Sequence, residues 1–352
     1  MQIKNLIIKN FRNIIDCDLS ANERINYLIG ENAQGKTNFL ESIYFINFYK
    51  SFRTNSVKDL INFKSDYLFI CSSIKNDSLD NIKISLDRSN NKKILLNNNK
   101  PDSFSVYNKI NSIIYYPSEI NYLILYPFFR RNLIDRSIFF IEIEYLNVIK
   151  KYNKILKQRN LYLKNPYGSY CPWNDQFIKL SLFIIKKRIF YIERINKILK
   201  CLCEKEGFGE NYKIKYSKYD KNIDDLFLEQ LDKVENSEKK CGYSLIGPHV
   251  EDINFFINDI NIKKYSSEGQ KKYLLLYYKY AQMLDFKNIY NNYPILLFDD
   301  YSSELDERRR KFFFEKIIKN SGQIFMTTTK KPDEVFCDSS VFNIMNGNIS
   351  IA

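Results

Sequence analysis

Residues 25–40 read INYLIGENAQGKTNFL, and inside them Gly30-Glu31-Asn32-Ala33-Gln34-Gly35-Lys36-Thr37 fits the pattern G-x-x-x-x-G-K-[ST]. Residues 25–29 are apolar enough for a buried strand. Leu40, Ile43, Tyr44 and Asn47 then recur at the i, i+3, i+4, i+7 spacing of a helix. Strand, glycine-rich loop and helix are the context this pattern needs. Glycines let successive N–H groups turn inward, and the helix N-terminus adds positive potential, so the loop is built to cradle phosphate oxygens. Lys36 is placed to reach the β- and γ-phosphates, and Thr37 to offer a hydroxyl to Mg²⁺. The loop predicts a bound nucleotide and leaves its use open.

A second stretch supplies the acids. In PILLFDDYSSELD (residues 294–306), Ile295 to Phe298 form an apolar strand that ends in Asp299 and Asp300. Asp299 is expected to hold Mg²⁺, directly or through water, and Asp300 to orient or deprotonate an attacking water. A third stretch, YSSEGQKKYLLLYYKYAQ, opens a helix with Ser267-Glu268-Gly269-Gln270. It resembles the S-x-G-Q signature of ABC-type ATPases, in which the Ser and the helix N-terminus cap the γ-phosphate held by a second subunit. Read alone, SEGQ is also an ordinary helix cap. Ser303 and Asp306, in SSELD, resemble the D-loop of the same dimer seam. The switch His of ABC transporters is absent. Thr327, Thr328 and Thr329 stand there, and Glu119 stands near the position of the Q-loop glutamine. Asp300 replaces the transporters' Glu, which predicts slow hydrolysis.

The ordered motifs predict an α/β, ABC-type P-loop ATPase domain with a mixed sheet, interrupted by an inserted, mainly helical lobe. Residues 1–117 and 236–352 are expected to form the ATPase domain, and residues 118–235 the lobe. Long charged helical stretches are expected over 132–163 and 176–206. An Asn-rich set of short strands is expected over 66–98, and a hairpin with Asn-Gly at its turn closes the chain.

The chain of 352 residues carries a formal charge of +13, so an anionic partner is expected, although an AT-rich coding bias also inflates lysine. Residues 141–220 hold 17 Lys/Arg against 8 Asp/Glu. Lys186, Lys187, Arg188 and Arg194 are therefore candidates for phosphate contact with DNA, against the alternative of a solvated helix face. Seven scattered cysteines without C-x-x-C, and His249 as the only histidine, give no zinc or Cys-His pattern and suit reduced thiols in the cytoplasm. No stretch has the roughly 18 uninterrupted apolar residues of a membrane span, so no membrane partner is expected.

Over essentially its whole length the sequence resembles the RecF family of bacterial recombinational-repair ATPases. The resemblance is carried by LIIKNFRN (6–13), IGENAQGKTNFLESIYF (29–45), KSFRT (50–54), YYPSEI (115–120), RRNLID (130–135), LIGPHVEDI (245–253), SSEGQ (266–270), PILLFDDYSSELD (294–306) and QIFMTTT (323–329). Val250 departs from the family's Arg after GPH. The resemblance implies a protein that binds ATP with Mg²⁺ and forms a homodimer around it. It also implies engagement of DNA at gaps or single/double-strand junctions, and help with RecA loading together with RecR and RecO. It further implies that Arg12 reaches the nucleotide. A non-hydrolysing repair scaffold, or another SMC-like chromosome-maintenance ATPase, are the alternatives. The latter needs a long coiled coil that residues 118–235 cannot supply.

Overall fold

Four apolar residues in a row, as in Ile295 to Phe298, suit a strand covered on both faces, where no side chain meets water. The computed structural model of the chain places them so, all four buried. It describes residues 1–102, 105–107, 109–165, 171–206, 209–216, 222–264, 267–300, 315–329 and 338–352. The elements begin with β1 (Gln2–Phe11), β2 (Ile14–Ser20), β3 (Ile25–Ile29), α1 (Lys36–Phe48), β4 (Tyr67–Lys75), β5 (Leu79–Asp87), β6 (Lys92–Leu96) and β7 (Ser112–Tyr115). The middle holds α2 (Glu119–Leu125), α3 (Pro127–Ile141), α4 (Tyr145–Lys164), α5 (Asn174–Glu206), β8 (Tyr212–Tyr216), α6 (Ile223–Cys241), β9 (Ile253–Ile257), β10 (Ile260–Asn261) and α7 (Glu268–Tyr290). The chain returns with β11 (Ile295–Phe298), β12 (Ile324–Thr328), β13 (Ser339–Met345) and β14 (Asn348–Ile351).

Two units are built from these elements: Met1–Pro117 with Met283–Ala352, and Ser118–Gln282. The first contains a six-stranded sheet in the order β14-β13-β3-β12-β11-β7, parallel except for the β13–β14 hairpin. A five-stranded antiparallel sheet, β2-β1-β4-β5-β6, joins it around one core. Helix α1 belongs to that core, with Phe39, Leu40, Ile43, Phe45 and Ile46 at zero exposure. Asn346 and Gly347, both at positive φ (49° and 81°), make the turn of the last hairpin. A side chain at Gly347 would put its Cβ 2.0 Å from the Asn13 carbonyl oxygen, so only glycine fits.

The second unit packs helices with a small antiparallel sheet, β10-β9-β8. It extends to residue 282, not 235. Strand β9 pairs with β8, and Arg130 of α3 grips Asp252 with two bonds of 2.9 Å, so residues 236–282 pack with the helices. The helical stretch expected over 132–163 is broken after Ile141. Ile141 and Tyr145 are both buried, and α3 and α4 each lie against α5; no Gly or Pro marks the break. Among the described residues no helix is long and apolar enough to cross a membrane.

The polar centre of this unit is made of arginines. Arg130, Arg159 and Arg188 are 1%, 2% and 3% exposed. Arg159 donates to Glu238 (2.6 Å), Ser244 Oγ (2.6 Å) and Asn174 Oδ1 (2.9 Å). Arg188 of α5 holds both oxygens of Asp135 at 2.8 Å and donates to the Pro248 carbonyl at 2.7 Å. One guanidinium thus joins two helices and a loop. Truncating such a group leaves the mostly buried Asp135 carboxylate without its counter-charge, still accepting from the Tyr145 hydroxyl at 2.7 Å. Arg188→Ala should therefore cost about 3–5 kcal/mol, read as a lower urea midpoint, and Arg188→Lys should recover only part because an ammonium cannot reproduce the bidentate fork.

Candidate nucleotide-binding site

Strand β3 runs into Gly30, and α1 begins at Lys36 with Gly35 as its N-cap at φ 115°. A Cβ on Gly30 would lie 2.3 Å from the Ile344 carbonyl oxygen of the neighbouring β13. The outer side of the loop is pinned through Gln34. Its carbonyl accepts from the Gly347 N–H (2.8 Å) and from Asn13 Nδ2 (3.1 Å), and its Oε1 accepts from the Asn346 N–H (2.6 Å). Glu31, Asn32 and Ala33 form the exposed rim, with Ala33 at φ 65°. The Lys36 ammonium folds back onto the Gly30 and Glu31 carbonyls at 2.6 and 2.7 Å. Burial lowers its pKa, while the nearby Asp300 and Asp299 push it back up.

The acids arrive by way of the sheet. Phe298 of β11 stands opposite Met326 of β12, so Asp299 and Thr327 emerge side by side. The Asp299 carboxylate, 9% exposed, accepts from Thr37 Oγ1 (2.8 and 3.0 Å) and from Thr327 Oγ1 (2.7 Å). The helix after the loop and the acidic strand therefore meet at one carboxylate. A hydroxyl facing a carboxylate is the oxygen donor set that Mg²⁺ takes, and Thr37 with Asp299 fits that ion. Burial raises the Asp299 pKa; bonds from Thr327 and Thr37 oppose the shift, and the Asp300 charge adds to it. Asp300 sits at φ 47°, a left-handed conformation uncommon for a residue with a side chain. Its N–H donates to Thr327 Oγ1 at 2.7 Å. The expected site did not include Thr327. Its signal was a hydroxyl at the carboxyl end of an otherwise apolar strand, a weak cue without the sheet order.

Arg12 does not stand free at the loop. It makes a bidentate pair with Glu41 of α1 (3.0 and 3.1 Å), and Glu41 is fully buried. Ser51 also donates to Glu41, and Arg53 lies 3.7 Å from it while donating to Asn38 Oδ1 at 2.7 Å. Arg12 thus anchors α1, the helix that carries Lys36 and Thr37.

In the second unit, Ser267 is exposed at the start of α7. Its Oγ accepts from the Gln270 N–H (3.2 Å), and Gln270 Oε1 accepts from the Ser267 N–H (3.1 Å), a reciprocal capping box. Among the described residues, a Cβ on Gly269 would meet nothing within 4 Å beyond its own chain neighbours and helix backbone. Signature and cap are therefore compatible readings of the same residues. Ser303 and Asp306 lie outside the described residues. Glu119 is buried against Lys279, which donates to it at 2.6 Å, a structural ion pair. His249 is also held: its ring nitrogens lie 2.6 Å from the Tyr152 hydroxyl and 3.1 Å from the Ser244 carbonyl, and burial lowers its pKa.

The expected basic surface needs correction. Arg188 is part of the buried core, for the reasons above, and cannot meet DNA. Lys186 donates to Asp224 (2.7 Å) and Lys187 to Glu142 (2.6 Å). The Arg194 guanidinium lies over the rings of Phe190 and Tyr191 at 5.5 and 5.6 Å. Successive residues of a helix face different ways, so a run of basic residues in sequence is not a patch.

A family model described as the RecF/RecN/SMC N terminal domain matches residues 2–346. The chain is 34% identical over 361 residues to the DNA replication and repair protein RecF of Clostridium botulinum, with 99% of each covered. It is 32% identical over 342 residues to the protein of that name from Geotalea daltonii, covering 94% of this chain and 93% of that one. A solved structure described as the recombination mediator protein RecF-ATP in the RecFOR pathway superposes with a TM-score of 0.90 at 27% identity, covering 100% of this chain and 97% of the other. An Smc head bound to a domain of ScpA superposes with a TM-score of 0.58 at 14% identity, a likeness of fold alone. Fold and site define an ABC-type P-loop ATPase of the kind found in SMC heads. The chain belongs to the RecF family of DNA replication and repair proteins.

Because the folded Asp299 pKa is raised, the neutral carboxyl favours the fold and the charged one opposes it. That contribution is whole below the unfolded value of about 3.9 and is lost as pH rises through the folded value. Asp299→Asn should therefore gain thermal stability relative to the parent protein at pH 7 but not at pH 3.5, both without nucleotide. It should also weaken Mg²⁺-dependent nucleotide binding.

Proposed function

We propose that this chain is an ATP-gated clamp of recombinational repair and replication-fork maintenance, acting in the cytoplasm. Two copies would close around ATP and hold DNA at gaps or single/double-strand junctions, with RecR and RecO, to favour RecA loading. The observation that carries this reading is the contact of Thr37 Oγ1 with both oxygens of Asp299, beside Lys36. Residues from the two ends of the chain converge there in the arrangement that a triphosphate and its cation require. Likeness to relatives named for DNA repair and to a structure holding ATP supports the substrate and the pathway.

In this reading the loop N–H groups and the start of α1 bind the phosphates. Lys36 would leave the Gly30 and Glu31 carbonyls for the β- and γ-phosphates. Thr37 and Asp299 would hold Mg²⁺, which supplies neutralising charge on the transferring phosphoryl group. Asp300 would orient the attacking water and accept its proton. Ser267, Gly269 and Gln270 of a second copy would cap the γ-phosphate, with Ser303 and Asp306 along the same seam. Hydrolysis, slow and stimulated by DNA, would reopen the clamp. The inserted unit's excess positive charge supports DNA contact, but Arg188 takes no part in it, and Lys186 and Lys187 contribute only by leaving their carboxylates. A non-hydrolysing scaffold is the second reading, favoured by threonines where a switch His is expected.

Sedimentation with ATP, with and without gapped DNA, together with ATP turnover, separates these readings. Lys36→Ala should lose ATP binding and dimerisation together. Ser267→Arg should keep ATP binding and remain monomeric; a dimer at unchanged ATP concentration would overturn the trans-acting signature. Asp300→Asn should stay dimeric on gapped DNA after the parent protein has released it.

A further inference from the structure

Thr327 is fully buried at the end of β12, between the strand that leads into the phosphate loop and the strand that delivers the acids. Its hydroxyl lies 2.7 Å from Asp299 Oδ1 and 2.7 Å from the Asp300 amide nitrogen. An amide can only donate, so the hydroxyl accepts from Asp300 and its own proton is directed to Asp299. Both polar capacities of the side chain are thus spent on consecutive residues with different expected tasks. Asp300 is also the residue held at φ 47°. A backbone bent that way persists where its surroundings fix it, and the bond to Thr327 is such a fixture.

We infer that Thr327 is a positioning residue for the nucleotide site, a hydroxyl clip that sets the Asp299 carboxylate and the Asp300 backbone in one register. It stands where ABC transporters carry their switch His, but it has no proton to exchange in the physiological range. Its work is geometric: Asp299 is turned to share its oxygens with Thr37, and the main chain of Asp300 is held in its bend. Valine has nearly the same shape and neither capacity; serine keeps both. The inference rests on the ATPase reading for its kinetic consequence, and on the fold alone for its structural one.

Two measurements test it separately. Amide hydrogen exchange without nucleotide should find the Asp300 N–H protected in the parent protein and in Thr327→Ser. Protection should be lost in Thr327→Val, with β11 and β12 still protected. Turnover should fall about 10- to 100-fold in Thr327→Val, the range expected when a partner orienting a ligand is removed. ATP affinity without Mg²⁺ should stay unchanged, and Thr327→Ser should restore the rate. Unchanged Asp300 exchange, or an unchanged kcat, in Thr327→Val would overturn the clip. A parent protein that binds ATP without turning it over would sink the hydrolytic reading instead, leaving the amide exchange to decide the clip. If Thr327→Val lost protection throughout the sheet, Thr327→Cys, with a weak donor in the same place, would be read in the same two ways.

Discussion

Strands in a sheet lie about 4.8 Å apart, and β12 lies between β3 and β11. The loop strand and the acidic strand are therefore about two spacings apart, roughly 10 Å between backbones. Everything at the candidate site follows from that gap. It is too wide for backbone hydrogen bonds between the two strands. Side chains span it: Thr37 from the start of α1, and Thr327 from the strand in the middle. The same interposed strand explains why Asp299 is buried, why its pKa is pushed up, and why it is held by hydroxyls.

The parts of this fold legible in the sequence are those with local causes. Strand β3 and its glycine loop, the apolar run of β11, and the Asn-Gly turn at 346–347 each carry their reason within a few residues. The signature's capping box is likewise written in Ser267 and Gln270. What was not legible depends on distant partners. Arg188 reads as a surface cation until Asp135, 53 positions away in sequence, is placed beside it. Arg12 reads as a strand-end residue until Glu41 is found buried behind it. The inserted unit reaches past residue 235 because β9 finds its partner in β8, a pairing that no local pattern announces. Thr327 reads only as a residue in the place of a switch His, because the sheet order that sets it beside Asp299 is invisible in a local pattern.

The charge of the inserted stretch shows a related limit. Its excess of lysine and arginine is a property of composition, whereas a binding surface is a property of placement. Arg130 and Arg188 fork onto partly buried carboxylates and donate to backbone carbonyls as well, a task for which the planar guanidinium is suited. The two lysines next to Arg188 in sequence are spent on ion pairs at the periphery. Net charge then acts on approach and solubility more than on any one contact.

The grip of the last hairpin on Gln34 has a consequence in time. The phosphate loop is among the earlier parts of the chain to be synthesised, yet the N–H groups that fix it belong to residues 346 and 347. Strand β13, which walls Gly30, also comes late. At a synthesis rate of about 5–20 residues per second, the loop waits on the order of 15–60 s for these partners. A nascent chain therefore carries the sequence of a nucleotide site well before it carries the site. The wall and the outer pins of the loop therefore arrive together, late in synthesis.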